Sequence, residues 1–194
     1  MAKKLIICFI EHRLNHRYIR PLLNIPTDYK SGFLMMATSC LLIEALQSFY
    51  EGKNESTDDN EDLNEKRKGS ERAFIKFFKN NEEFFPDFRD CFPMRPVVNG
   101  KGETIEKCTF FKHIRCGILH QAETTGGYRI LRDCSQLFNK DKNTINANRF
   151  VKAMKCCLDK YIKGLRESET DTAPWPMAMK KIGHICDNCK SVTP

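Results

Sequence analysis

No apolar run in this 194-residue chain reaches the roughly 18–20 residues that a membrane span needs. The longest nearly apolar stretch, 32–43, is interrupted by Thr38 and Ser39. An export signal is also missing: the apolar residues from Leu5 to Ile10 give way at once to Glu11, His12 and Arg13. The expectation is a cytoplasmic protein with no membrane partner. No internal repeat is present, which excludes a solenoid. There is no Gly-rich phosphate loop, His-Glu-x-x-His pair or Gly-x-Ser-x-Gly elbow, so hydrolases of those types are not supported.

What is present is ordinary globular matter, 41% hydrophobic and 29% charged, enough for one core in one domain of common size. Ten cysteines without an export signal read as reduced thiols. Cys8, Cys40, Cys108, Cys134 and Cys157 have apolar neighbours and are expected to pack as small hydrophobes. The formal charge is +7, and 101–165 carry 13 basic against 6 acidic side chains, an excess equal to that of the whole chain. A polyanionic partner and plain solvated helix faces both account for it.

Helical periodicity covers four segments. Residues 3–23 place Leu5, Ile6, Phe9, Ile10 and Leu14 three and four apart, with Pro21 and Pro26 marking the end. Residues 31–50 are apolar nearly all round and belong in the middle of the core. The third helix spans about 104–122, ended by Thr125-Gly126-Gly127, and the fourth about 143–166. Between the second and third lies 51–70, an acidic stretch with almost nothing apolar, read as a mobile charged loop. Ser70 is the candidate cap of a further helix bearing Ala73, Phe74, Phe77 and Phe78, broken at Phe84-Phe85-Pro86. Residues 97–100 read as a short strand or turn, and 128–131 as a short extended piece. The sum is an all-α fold, a bundle over 1–166 with a C-terminal extension, 167–194, that packs on it or stays flexible.

The sharpest local pattern is Arg115-Cys116-Gly117-Ile118-Leu119-His120, an Arg and a His with four residues between them in the third long helix of a helical chain. It resembles the Arg, four to six residues, His motif of the HEPN superfamily, and 34–46 resemble the central bundle helix of bacterial members. With the helix from Asn143, the resemblance covers most of 3–166. It implies an up-and-down HEPN-like bundle acting as a metal-independent endoribonuclease without cofactor, a homodimer with RNA as partner, in a toxin or antiviral-defence setting with a cognate inhibitor. Where the family often has a polar residue after the Arg, this chain has Cys116.

The chemistry suits these side chains. Histidine titrates nearest neutral pH, so His120 takes the proton-transfer role. A guanidinium stays charged and meets phosphate oxygens with paired hydrogen bonds, so Arg115 takes the charge-stabilising role. Lys112, His113 and Glu123, with Tyr128 and Arg129 just beyond the helix, are candidate substrate-binding groups. In a regular α-helix, residues five apart point about 140° from each other. Either the helix widens near Gly117 as a π-type bulge, or the two side chains reach one groove from its two walls.

Other readings stand beside this one. Arg115 can simply pair with an acid such as Glu44, leaving His120 an ordinary surface residue. The bundle can hold RNA or a nucleotide without cutting it, or serve as a structural, partner-binding protein. In the tail, His184, Cys186 and Cys189 offer three zinc ligands at feasible spacing but lack the fourth that a closed site needs. Two free thiols are the simpler reading of that segment.

Overall fold

The computed structural model describes residues 2–54, 63–90, 94–98, 100, 102 and 104–190. The chain is mostly helical, as expected, but it also carries two small sheets that the all-α expectation omitted. The first long helix runs as α1 (Ala2–Glu11), a π-helical stretch (His12–Ile19) and α2 (Arg20–Leu23). Its buried residues Ile7, Ile10, Leu14, Ile19 and Leu22 explain the π stretch. Leu14 and Ile19 are five apart, and at α-helical pitch they would diverge by about 140°. A hydrogen-bond ladder from i to i+5 lines them up on one face.

Helix α3 (Gly32–Glu51) is the central helix, burying Met35, Met36, Cys40, Ile43, Leu46 and Phe49 against neighbours that include α4 (Leu63–Asn80), α7 (Ala147–Glu167) and α8 (Trp175–Lys190). Its bounds agree to within one residue at each end with the helix read from sequence over 31–50. Among the described residues it is the one helix long and apolar enough to cross a membrane by length and composition, and most of it is buried in the fold.

Helix α4 corrects the reading of 51–70. It begins at Leu63, so Ser70 lies inside a helix rather than capping one. The reason is propensity: Glu65, Lys66, Arg67 and Lys68 are strong helix formers, and they continue the helix of Phe74, Phe77 and Phe78 backwards. The rest of that expectation, 55–62, lies outside the described residues. After the short α5 (Pro86–Asp90), β1 (Met94–Val98) pairs antiparallel with β2 (Thr104–Cys108), placing Val97 opposite Ile105. The third helix therefore does not start at Thr104. The β-branched Thr104 and Ile105 favour the pleat over the helix, and Glu71 ends the strand by accepting the Cys108 backbone N–H at 2.8 Å.

Beyond that point the chain enters a second π stretch (Phe111–Arg115) and α6 (Cys116–Gln121). A three-stranded sheet follows in the order β3 (Arg129–Leu131), β5 (Thr144–Asn146), β4 (Phe138–Asn139). Asn146 caps α7 by accepting the Arg149 N–H at 3.0 Å, three residues later than the helix start read from sequence.

Phenylalanines dominate the core beside this region. Phe110 stacks on Phe150 with centroids 5.4 Å apart, and Phe88 lies 5.2 Å from Phe78 and 5.8 Å from Phe138. The tail is ordered along α8. Trp175 is buried, and its Nε1 donates to the Leu165 carbonyl at 2.9 Å. Gly52 ends α3 in the left-handed region at φ +64°, where a Cβ would lie 3.1 Å from the Met177 carbonyl, so α8 and the end of α3 pack backbone to backbone.

Candidate functional site

Arg115 stands at the end of the second π stretch, with the next residue's N–H bonded back to the Phe111 carbonyl. Its guanidinium carbon sits over the Phe111 ring, 5.3 Å from the centroid, and its Nε donates to Glu44 Oε1 at 3.1 Å. The pairing with Glu44 raised as an alternative from the sequence is thus present. It uses one edge of the fork. Neither Nη group is hydrogen-bonded within the described residues, and both belong to a side chain lining a groove of about 320 Å³. Ala37, Thr38, Cys40, Leu41 and Glu44 of α3 form one wall, and Arg115 and Leu119 the other. Burial pushes the Cys40 thiol far above its usual range, with Glu44 adding to the shift. Cys40 is therefore a neutral apolar floor. Leu34, Leu41 and Leu119 are exposed on α3 and α6.

His120 is elsewhere. It is exposed on α6 and does not line this groove. The π-type widening does occur in this helix, but over Phe111–Arg115, one turn before the place where it would help. From Cys116 to Gln121 the helix is regular, so Arg115 and His120 keep their divergence of about 140°. One chain brings Arg115 and Glu44 together and leaves His120 apart.

The remaining candidates divide by what holds them. His113 is fastened: its Nδ1 is 2.8 Å from Thr125 Oγ1, and its backbone carbonyl accepts the Thr125 N–H at 3.0 Å. Tyr128 packs on the core with its ring 5.7 Å from His113 and 6.5 Å from Phe138, and its carbonyl accepts from Thr124 Oγ1 at 2.5 Å. Both serve to pin the loop after α6. Glu123 is exposed and accepts the N–H of Thr124 at 2.8 Å. Lys112 and Arg129 are exposed, with Arg129 paired through its backbone to Asn143. Arg132 binds the carbonyls of Ile25, Pro26 and Tyr29, anchoring the loop that leads into α3.

Sequence reasoning missed the clasp itself. A Cβ on Gly117 would lie 2.6 Å from the Glu123 carbonyl oxygen, and one on Gly126 would lie 2.7 Å from His113 Nδ1. These glycines let the loop fold flat against the helix that carries Arg115. The available signal was Gly117 in mid-helix together with Gly126-Gly127, a pair read only as a helix end.

Among the cysteines, Cys40, Cys108 and Cys157 are buried as expected, whereas Cys8 is exposed on α1 and Cys134 half-exposed. Helical alternation explains the difference at Cys8: its neighbour Ile7 takes the core position. Cys186 and Cys189 are exposed and His184 half-buried on α8. Among the described residues no group of three His, Cys, Asp or Glu side chains is placed to hold a metal ion. No family model matches the chain, and neither the curated proteins nor the solved structures contain a match to it.

Proposed function

We propose that the chain is a metal-independent endoribonuclease of HEPN type, working as a homodimer in the cytoplasm. The observation that carries the reading is the half-engaged Arg115. Its Nε edge is held by Glu44 and its face by Phe111, while its Nη groups carry no hydrogen bond within the described residues and the residue lines a groove of about 320 Å³. A guanidinium fixed in this way offers paired donors to phosphate oxygens without losing further rotamer freedom. The basic excess over 101–165 supplies the long-range attraction for RNA.

In the reaction, the ribose 2′-oxygen attacks phosphorus, its proton passing to a base, and the bond to the 5′-oxygen breaks as that oxygen takes up a proton. The products are a cyclic phosphate and a free 5′-hydroxyl. Arg115 meets the charge growing on the non-bridging oxygens, and His120 handles the proton. Because His120 points away from Arg115 on the same helix, the pairing requires the His120 of a second copy. The exposed Leu34, Leu41 and Leu119 beside the groove are the apolar surface through which that copy docks. A toxin or antiviral-defence setting, with a cognate inhibitor, follows from the resemblance alone.

The Glu44–Arg115 pair also favours a second reading: an RNA- or nucleotide-binding module that does not cut, with Arg115 as anchor and His120 idle. Cleavage of a mixed RNA pool in EDTA separates the two. The nuclease reading expects cutting by the parent, leaving cyclic-phosphate ends, and loss of cutting by Arg115→Ala and His120→Ala variants that melt like the parent. Salt-sensitive binding without cutting would establish the module instead.

A further inference from the structure

Cys186 and Cys189 lie three residues apart in the last turns of α8, both exposed and both free thiols. Three residues of α-helix leave side chains about 60° apart on one face, with Cβ atoms about 5–6 Å from each other. Thiolate sulfurs extending from such a pair converge on one zinc ion at about 2.3 Å each. His184, the ligand that sequence spacing offers as a third, sits about 160° from Cys186 and about 140° from Cys189 around the helix. It faces away from them. No further His, Cys, Asp or Glu within the described residues joins the two thiols. The pair offers two of the four ligands that a tetrahedral site needs.

The dithiol is also positioned to be completed from outside. Ile185 is the last residue of α8 buried against the body, and beyond it residues 186–189 are exposed. The helix end is nevertheless held, because Lys181 donates to the Asn54 carbonyl and Asn188 Nδ2 to Asn54 Oδ1 at 3.3 Å. The thiols are thus presented on a fixed element.

We propose that two copies of this chain share one zinc ion through Cys186 and Cys189 of each, a four-thiolate site joining the ends of two α8 helices. Four thiols lose four protons to solvent as the ion binds, no electrons move, and the coordination shell closes with no open position for catalysis. This site does not depend on the ribonuclease reading. That reaction needs no metal, so an EDTA-treated protein that still cuts RNA leaves the zinc proposal intact, and a zinc-binding protein that cuts nothing does so equally.

The test is metal titration of the reduced, EDTA-stripped full-length protein with zinc, and with cobalt as the spectroscopic probe. Expected are saturation at about half an equivalent per chain and the thiolate charge-transfer and tetrahedral bands of a four-sulfur cobalt site. Cys186→Ser and Cys189→Ser should each abolish them with unchanged melting, while His184→Ala and Cys8→Ser leave them as they are. Uptake of a full equivalent per chain, or loss of the site in His184→Ala, would show closure within one chain and overturn the proposal. Uptake that survives both cysteine variants, or no uptake at all, would overturn it as well.

Discussion

Two π-helical stretches interrupt this fold, and they differ in what they do with the extra residue. In His12–Ile19 the wider turn keeps Leu14 and Ile19 on the core side, and the outward face carries His12 stacked on His16, centroids 5.0 Å apart. Its effect is confined to packing. In Phe111–Arg115 the same device buries Phe111 and Ile114 and then delivers Arg115 to the wall of a groove, over the Phe111 ring and against Glu44. A π stretch that re-aims apolar residues serves packing, whereas one that ends on a charged residue beside a groove sets that charge where a ligand can reach it.

Truncating one buried residue in each stretch tests this most forcefully. Leu14→Ala and Ile114→Ala should both lower stability by about 2–5 kcal/mol in denaturant melts. At temperatures where both are folded, only Ile114→Ala should also weaken RNA binding. Equal loss of binding in the two would erase the distinction. Next in size is the clasp. Gly117→Ala forces a methyl into the Glu123 carbonyl and should cost about 2–3 kcal/mol by thermal melting, since the obstacle is backbone that cannot step aside.

Glu44→Gln sharpens the contrast at the groove. The pair is partly solvent-exposed, so stability should change by no more than about 1 kcal/mol. Freed of its carboxylate, Arg115 should hold RNA more tightly in filter binding yet support slower cleavage, because its orientation is lost. Ala122 ends α6 at φ +54°, a conformation that suits glycine. Ala122→Gly should raise stability by about 0.5–1 kcal/mol, read as a higher Tm.

The smallest effect is in the acid range. Burial pushes the Glu51 carboxyl up, but hydrogen bonds from Lys76 at 2.7 Å and Gln47 at 3.0 Å more than offset this, and its pKa falls below the ordinary 4.5. A depressed folded-state pKa contributes stability above about 4.5 that is lost as pH drops through the folded value. Lys76→Met should remove that contribution, lowering stability slightly at neutral pH and flattening its fall below about 4.5, so that parent and variant converge in acid in pH-dependent melts.

Much of this fold was legible in the sequence. The apolar spacing of Ile10 and Leu14, the all-round apolar α3 and the stripe from Phe150 to Leu165 announce their helices, because 3.6-residue periodicity follows directly from burial of one face. Strands β2, β4 and β5 escaped notice because they are only two to five residues long, too short for a period-two pattern to stand out, and β5 also takes its parallel partner β3 from beyond the adjacent connection. The start of α4 was hidden for the opposite reason: a polar helix turn and a polar loop share one composition, and only the attached Phe74 stripe decides between them. At the site, Arg115 and its partner Glu44 could be named from residue types alone. The clasp of Gly117, Thr125 and Gly126 could not, because a close backbone approach leaves no pattern except a glycine.

The proposed nuclease site is completed by two copies, Arg115 from one and His120 from the other. The most direct test is to mix inactive Arg115→Ala and His120→Ala proteins, allow subunits to exchange, and measure RNA cleavage in EDTA. About half of the exchanged dimers are mixed, and each carries one intact site of two, so activity should return to about a quarter of the parent's. Mixing that restores nothing, while each variant remains folded and dimeric, would contradict the composite site.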